Sequence, residues 1–277
     1  LADAGPARRA AFEAFRREER AWLEDSALFI AAKEDYDRRA REESLPSSLW
    51  MELWPEGLAL REPGALAAER ERRAGEIERA MVLQFLFAEE WSAVKSAANR
   101  AGIAVVGDLP IFVALDSADV WTRRELFRLD AAGRPLEVAG VPPDYFSADG
   151  QLWGNPLYDW PAHEAEGFAW WTARIRAALS RYDCVRIDHF RGFEAYWAVP
   201  AGERTARKGR WRKAPGEALF AAVRGKLGAE LPIVAEDLGF ITEEVRALRD
   251  GLRLPGMKIL QFAFDAAESG SAFDPRN

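Results

Sequence analysis

Two short apolar runs in this chain each end in a carboxylate. One is Val185-Arg186-Ile187-Asp188 and the other is Ile233-Val234-Ala235-Glu236. Each run predicts a buried β-strand, and a segment long enough for a helix separates them. Because the carboxyl ends of parallel strands lie at one edge of a sheet, we expect Asp188 and Glu236 to lie close together. Paired carboxylates at such an edge are the arrangement that glycoside chemistry uses, one as nucleophile and the other as general acid and base.

The neighbours of the two acids fit these roles. Residues two apart on a strand share a face, so the guanidinium of Arg186 is expected beside Asp188, where it would keep that carboxylate ionised. Glu236 leaves its strand at the rim of an apolar core. Burial beside a second negative charge would raise the pKa of its carboxyl, which suits a general acid. The alternative is that both residues are ordinary strand-terminal acids that cap loops or pair with arginine.

Composition narrows the classes of function. The chain has 277 residues, 49% of them hydrophobic, with a net charge of −7, which is typical of one or two globular domains. The negative charge argues against nucleic acid or an anionic membrane as the main partner and favours a neutral substrate such as a sugar. Cys184 is the only cysteine, so we expect no internal disulfide and a cytoplasmic location. No run of about 20 apolar residues predicts a transmembrane helix.

Helical and strand patterns alternate along the chain. Helices are predicted over residues 6–43 with a break near 23–27, and over 65–100, 159–182, 216–227 and 242–249. Strands are predicted over 103–107, 184–187, 194–199, 233–235 and 257–262. The apolar run 81–87 is expected to be buried on most sides. This order indicates an α/β fold with a parallel sheet, and strands that end in acids favour a (β/α)8 TIM barrel.

Two long segments show neither pattern. Residues 140–158 combine turn-forming residues with aromatic ones, and loops of that length are usually functional. Residues 201–215 are rich in Arg and Lys, which could bind phosphate or RNA, although a solvated surface is the more common reason for one basic run in an acidic chain. Some of the eleven Trp could stack on sugar rings, while most are expected to fill the core.

Several ordered motifs give the chain a family resemblance. They are GDLPIFV at 107–113, DSADVW at 116–121, the segment 140–160, VRIDHFRGF at 185–193, IVAEDLG at 233–239 and PGMKILQFAF at 255–264. Through them the chain resembles the amylomaltases, or 4-α-glucanotransferases, of the α-amylase-related clan, also called disproportionating enzymes. The match covers roughly residues 100–265. It implies a (β/α)8 TIM barrel with helical and loop insertions, of which only the middle strands are present here.

The resemblance also implies an organisation and a set of roles. Residues 1–64 would form a helical insertion subdomain and loop, and residues 65–277 a partial catalytic barrel with an active-site loop at 140–158 and a basic loop at 201–215. Asp188 would be the nucleophile that forms a β-linked glucosyl-enzyme, and Glu236 the acid/base. The residues implied to contact substrate are Arg186, Asp108, Asp144, Tyr145, Phe146, Trp153 and Phe262. His189 is expected either to contact substrate or to be a structural histidine.

The implied partner is a maltooligosaccharide or starch-like α-1,4-glucan, with no metal or organic cofactor, no nucleic acid and no membrane. The chain departs from the family at Leu115, where a His is expected, and it lacks the family's third carboxylate and opening strands. The missing barrel strands are expected to come from elsewhere in the full protein. The expected activity is retaining glucan transfer. The alternatives are an α-glucan hydrolase, a glucan-binding protein without activity, and a barrel enzyme unrelated to sugars.

Overall fold

The computed structural model describes residues 5–144, 147–239 and 241–261. Its helices are α1 (Pro6–Glu18), α2 (Arg20–Glu42), α3 (Trp50–Leu53), α4 (Glu56–Ala59), α5 (Pro63–Arg72), α6 (Ala74–Arg100), α7 (Ala118–Thr122), α8 (Trp160–Ala165), α9 (Ala169–Arg181), α10 (Gly216–Leu227) and α11 (Glu243–Gly251). Its strands are β1 (Val106–Pro110), β2 (Glu137–Val141), β3 (Gln151–Pro156), β4 (Cys184–Asp188), β5 (Ala195–Pro200), β6 (Arg210–Lys213) and β7 (Ile233–Ala235). Short 3₁₀ turns span Arg124–Leu126, Phe190–Phe193 and Ala206–Lys208.

Three strands form a parallel sheet in the order β1-β4-β7. In its register Asp108 lies opposite Arg186, and Ile187 lies opposite Ala235. Within the described residues the sheet does not close into a barrel, and β1 pairs with a strand on one side only. The predicted α/β class with a parallel sheet is therefore confirmed, and the open sheet agrees with a chain that holds only part of a barrel.

A second sheet has the order β3-β2-β5-β6, with β2 and β3 antiparallel. The prediction of loops was incomplete here, since β3 and the end of β2 lie within residues 140–158 and β6 lies within 201–215. Most residues of β3 and β6 are exposed, so they carry no apolar run, and Gly154 and Pro156 are residues typical of turns.

Two compact units are formed by segments distant in sequence. The first unit comprises the described residues within 1–103, 112–162 and 198–210, and the second those within 104–111, 163–197 and 211–277. All three strands of the parallel sheet belong to the second unit. The division into functional parts at residue 64 stays a prediction.

The core of the first unit contains an aromatic cluster around Trp54. The ring centroids of Trp54 lie 5.3 Å from Phe29, 5.6 Å from Tyr36 and 5.5 Å from Trp121. The indole N–H of Trp121 donates to the Leu58 carbonyl over 3.0 Å, so the buried polar group has a partner. Five of the eleven Trp are buried, fewer than the majority that was expected to fill the core: Trp50, Trp54, Trp121, Trp160 and Trp171.

The core of the second unit contains four fully buried aromatic rings that pack together. Phe193 packs against Trp171 and Phe220, with centroid distances of 5.1 and 5.3 Å, and Phe190 lies 5.9 Å from Phe220. Trp171 comes from α9 and Phe220 from α10, so this cluster attaches two helices to the turn that follows β4. This packing fixes the turn at the carboxyl end of β4.

Several predicted boundaries were wrong. The first helical pair breaks at Glu19, because Leu23 and Ala27 are buried residues within α2. The helix over 65–100 is interrupted at Arg73, whose buried guanidinium pairs with Glu69 and Asp35 at 2.7 and 2.6 Å. The 159–182 helix is divided into α8 and α9.

Two further expectations also failed. In the apolar run 81–87, Met81 and Phe85 are buried, but Leu83 and Phe87 are 56% and 52% exposed, so burial follows one face of α6 only. The strand predicted over 257–262 is not present in residues 257–261, which lie in irregular backbone and the start of a helical turn. Phe262 lies outside the described residues.

Candidate active site

The carboxyl edge of the parallel sheet collects the predicted charged residues. In β4, Val185 and Ile187 are buried, while Arg186 and Asp188 share the opposite face, as the period of two requires. Asp108 projects from the neighbouring β1, opposite Arg186. Glu236 follows β7 directly, and its backbone N–H donates to the Ile187 carbonyl over 3.0 Å. The structure therefore brings three acids and one arginine to one edge.

Arg186 is the electrostatic centre of this group. Its Nε and Nη2 donate to the two carboxylate oxygens of Asp108 over 3.0 and 2.7 Å, and Nη2 lies 3.0 Å from Oδ1 of Asp188. The hydrogen bond with Asp108 is the main reason that the pKa of Arg186 is raised above its ordinary value. The predicted pairing with Asp188 is present, but the fork of the guanidinium is directed at Asp108.

Glu236 occupies a partly buried position with two backbone donors. The N–H of Leu238 donates to Oε1 over 2.7 Å and the N–H of His189 to Oε2 over 2.9 Å. Burial raises the pKa of the Glu236 carboxyl, the two N–H donors act in the opposite direction, and the negative charge of Asp188 raises it further. The net direction is upward, so this carboxyl holds a proton at a higher pH than an ordinary glutamate.

His189 stands between the two acids in the chain. Its backbone is left-handed, with φ 54° and ψ 48°. Burial, aided by the nearby charge of Arg191, lowers the pKa of its imidazole to about 4. The side chain is therefore neutral at ordinary pH, which fits a structural histidine and equally a neutral hydrogen-bonding group.

Asp237, the residue after Glu236, has a structural role that the sequence did not reveal. Its carboxylate pairs with Arg249 of α11 and accepts the backbone N–H of Met257 over 2.9 Å. A Cβ on Gly256 would come within 2.4 Å of this carboxylate, so the segment after Pro255 must approach closely. The sequence does not indicate that Asp237, although it is adjacent to the candidate acid/base, pairs with Arg249.

The segment 140–158 belongs to the first unit, so its residues are described there. Asp144 is exposed, and its Oδ1 accepts the N–H of Ser147 over 2.8 Å. Trp153 is 37% exposed, and its indole N–H donates to Gln151 over 3.1 Å. Both side chains are exposed on the surface. Tyr145 and Phe146 lie outside the described residues, as does Phe262.

Four cations of the basic loop 201–215 form ion pairs, one within the loop and three with carboxylates outside it. Arg207 lies 2.7 Å from Asp149, Lys208 lies 3.0 Å from Glu203, and Lys213 pairs with Glu194. Arg210 pairs with the buried Glu137 over 2.8 Å. These contacts favour the interpretation as a structural surface loop over a site for phosphate or RNA, since four of its cations already have carboxylate partners.

The described part of the chain, residues 5–144, 147–239 and 241–261, has two further properties. None of its helices is both long and apolar enough to cross a membrane. Its His, Cys, Asp and Glu side chains form no group of three suited to a metal ion.

The chain is similar to known proteins in both sequence and fold. The family model described as 4-alpha-glucanotransferase matches residues 2–277. A 4-alpha-glucanotransferase of Thermus thermophilus is 53% identical over 95% of this chain and 50% of its own length, and one of Synechocystis is 51% identical over 96% and 51%. An amylomaltase from Streptococcus agalactiae, solved in complex with acarbose, superposes with a TM-score of 0.91 at 41% identity over 99% of this chain and 53% of its own. The chain thus spans about half the length of the relatives it matches.

Proposed function

Since the chain belongs to the 4-alpha-glucanotransferase family, we propose that it carries the reaction centre for retaining transfer of α-1,4-glucan segments between maltooligosaccharides. The observation that carries this proposal is the placement of Asp188 and Glu236 at the ends of adjacent parallel strands, one beside a guanidinium and the other in a partly buried, pKa-raised position. These are the unlike environments that a nucleophile and a general acid require.

In the first half of the reaction, a carboxylate oxygen of Asp188 attacks the anomeric carbon of the donor glucan. The bond to the departing sugar oxygen breaks, and Glu236 gives that oxygen its proton. The result is a glucosyl ester of Asp188 and an ionised Glu236.

In the second half, Glu236 removes the proton from a hydroxyl of an acceptor glucan, whose oxygen attacks the same anomeric carbon. The ester bond to Asp188 breaks and the carboxylate is restored. Two inversions give net retention, and transfer instead of hydrolysis requires that the acceptor be positioned and water excluded.

Arg186 and Asp108 act on this centre through geometry and charge. The positive charge of Arg186 stabilises ionised Asp188, which is the form that attacks. Asp108 accepts hydrogen bonds from both Nε and Nη2 of Arg186. These bonds hold the guanidinium in place when Asp188 becomes an uncharged ester.

The remaining expectations form part of the same proposal. The barrel is completed by strands outside this chain, which is supported by the open edge at β1 and by relatives about twice as long. Residues 1–64 form a helical insertion, and the side chains implied to bind glucan do so: Asp144, Tyr145, Phe146, Trp153, His189 and Phe262. The single cysteine supports a cytoplasmic location. The acarbose complex of the Streptococcus agalactiae protein supports an oligosaccharide as substrate.

The test is to incubate the polypeptide with maltotriose and to resolve the products by chain length. A ladder of glucose and longer maltooligosaccharides that disappears in Asp188→Asn and in Glu236→Gln is the expected result. Glucose and maltose without longer products would instead establish a hydrolase, which the transferase names of the relatives do not favour. Binding of acarbose without turnover, in a polypeptide that contains every barrel strand, would overturn the enzymatic proposal and leave a glucan-binding protein.

A further inference from the structure

The end of β4 and the turn that follows it hold Glu236 through three hydrogen bonds. The backbone N–H of Glu236 donates to the Ile187 carbonyl over 3.0 Å, its carbonyl accepts the N–H of Phe190 over 3.1 Å, and its Oε2 accepts the N–H of His189 over 2.9 Å. Between these contacts lies Asp188. The candidate nucleophile is therefore built into the same short segment that fixes the candidate acid/base.

The left-handed backbone of His189 makes two of these hydrogen bonds possible. The relative direction of the N–H groups of residues 189 and 190 is set by φ and ψ of His189. In extended backbone, successive N–H groups point to opposite sides, whereas a helical or left-handed residue turns them to the same side, as in anion-binding nests. With φ 54° and ψ 48° at His189, both donors reach Glu236, one at its carboxylate and one at its carbonyl.

The turn is supported on its far side. The N–H of Gly192 donates to the His189 carbonyl over 2.9 Å, and a Cβ at Gly192 would come within 3.3 Å of the His189 ring and 2.6 Å of Ile111. Glycine at 192 thus leaves room for the imidazole. The left-handed region disfavours most residues with a Cβ, and His is among the types that tolerate it better.

We propose that His189 is a positioning residue that acts through its backbone: its left-handed turn aims the His189 N–H at the carboxylate of Glu236 and fixes that carboxylate beside Asp188. The identification of Glu236 as acid/base rests on the proposed function, but the hydrogen bond from the His189 N–H to its carboxylate does not. The charged groups that face this carboxylate are Asp188 and Arg186, and the second N–H donor is Leu238.

The first experiment uses the unmodified chain. With ¹³C-labelled glutamate and ¹⁵N-labelled backbone, the Glu236 carboxyl is titrated by NMR while the amide protons of residues 189, 190 and 238 are followed. The amide protons of His189 and Leu238 should shift with the same midpoint as the carboxyl, because each donates to it. The Phe190 amide donates to the Glu236 backbone carbonyl and should move less, which provides an internal control. A His189 amide that does not follow Glu236 would overturn the proposal.

A pair of variants separates backbone from side chain. His189→Asn keeps a residue that tolerates the left-handed region, and His189→Val places a β-branched residue there. Both remove the imidazole. Because an N–H donor stabilises the ionised carboxylate, its loss in His189→Val should raise the pKa of Glu236 by about one unit relative to His189→Asn.

Equal pKa values of Glu236 in the Asn and Val variants would show that the imidazole, or nothing at residue 189, governs the carboxylate, and would refute the proposal. If His189→Val does not fold, the titration of the unmodified chain decides. Neither measurement depends on turnover. A polypeptide with every barrel strand that is inactive, but in which the His189 amide shifts with the Glu236 carboxyl, would reject the proposed function and retain this one.

Discussion

The guanidinium of Arg186 contacts the carboxylates of both Asp108 in β1 and Asp188 in β4. Its Nε and Nη2 donate to Asp108 over 3.0 and 2.7 Å, and Nη2 also lies 3.0 Å from Asp188. A lysine could neutralise one acid but could not engage both in fixed directions, because its ammonium is a single point charge on a flexible stem. The relationship makes Asp108 a support for Arg186 as much as a candidate sugar ligand.

Arg186→Lys is accordingly expected to reduce kcat/KM for maltotriose by about 100-fold, since a misplaced nucleophile partner costs about that much. The measurement is the rate of product formation in a polypeptide that shows transfer. Arg176→Lys, on the exposed side of α9, is the matched control and should leave the rate unchanged. Rates within twofold of the parent for Arg186→Lys would exclude the forked contact as a requirement.

The charge of Asp188 raises the pKa of Glu236, after the larger effect of burial. Removing that charge in Asp188→Asn should therefore lower the pKa of Glu236, by less than about one unit, because a like charge disfavours the ionised form. Titration of the ¹³C-labelled Glu236 carboxyl by NMR gives the value directly. An upward shift would mean that the two acids do not interact in the way that their positions imply.

Stability should fall with acid because of His189. Its pKa is about 4 in the folded chain and near 6.5 when unfolded, so between these values the unfolded state binds the additional proton. The contribution is complete above pH 6.5 and is lost as the pH falls to about 4, with an upper size of about 3 kcal/mol.

Thermal unfolding of the parent and of His189→Asn between pH 7 and 4 tests this. The acids common to both proteins cancel in the comparison, so the parent should lose more of its melting temperature than the variant over this range. Parallel loss in the two proteins would contradict a neutral, buried imidazole.

The close packing of the Tyr182 ring against Gly107 predicts an effect on stability. A Cβ at this position in β1 would lie 2.1 Å from the Tyr182 ring, so Gly107→Ala is expected to destabilise the chain by about 1–3 kcal/mol through overpacking. Gly75→Ala in α6 is the control, because its Cβ meets no atom within 4 Å and alanine favours a helix by about 0.5–1 kcal/mol. Urea unfolding of the two variants should give shifts of opposite sign.

Sequence periodicity located the elements that are buried. The strands β4 and β7 and the helix α10 were predicted within a residue of their bounds, because apolar residues recur there with a clear period. The strands β3 and β6 were missed, since their side chains are mostly exposed and their backbone pairing leaves no trace in composition. The break at Arg73 was missed because a buried arginine with two carboxylate partners looks the same in sequence as a solvated one.

For the site, side chains at strand ends could be predicted, and backbone donors could not. Asp188 and Glu236 end apolar runs, and Asp108 and Arg186 lie opposite each other in the register of β1 and β4, so their convergence follows from the topology of a parallel sheet. The N–H groups of His189 and Leu238 that hold Glu236 belong to every residue type, and the left-handed conformation of His189 is not marked by glycine or asparagine.

Three hydrogen bonds join Glu236 to residues 187–190, the segment that contains Asp188. The two candidate reacting groups are therefore carried by one hydrogen-bonded region of backbone. A displacement of the backbone at either acid is therefore transmitted to the backbone of the other. In the proposed function, positioning of the acceptor and exclusion of water would therefore depend on other segments.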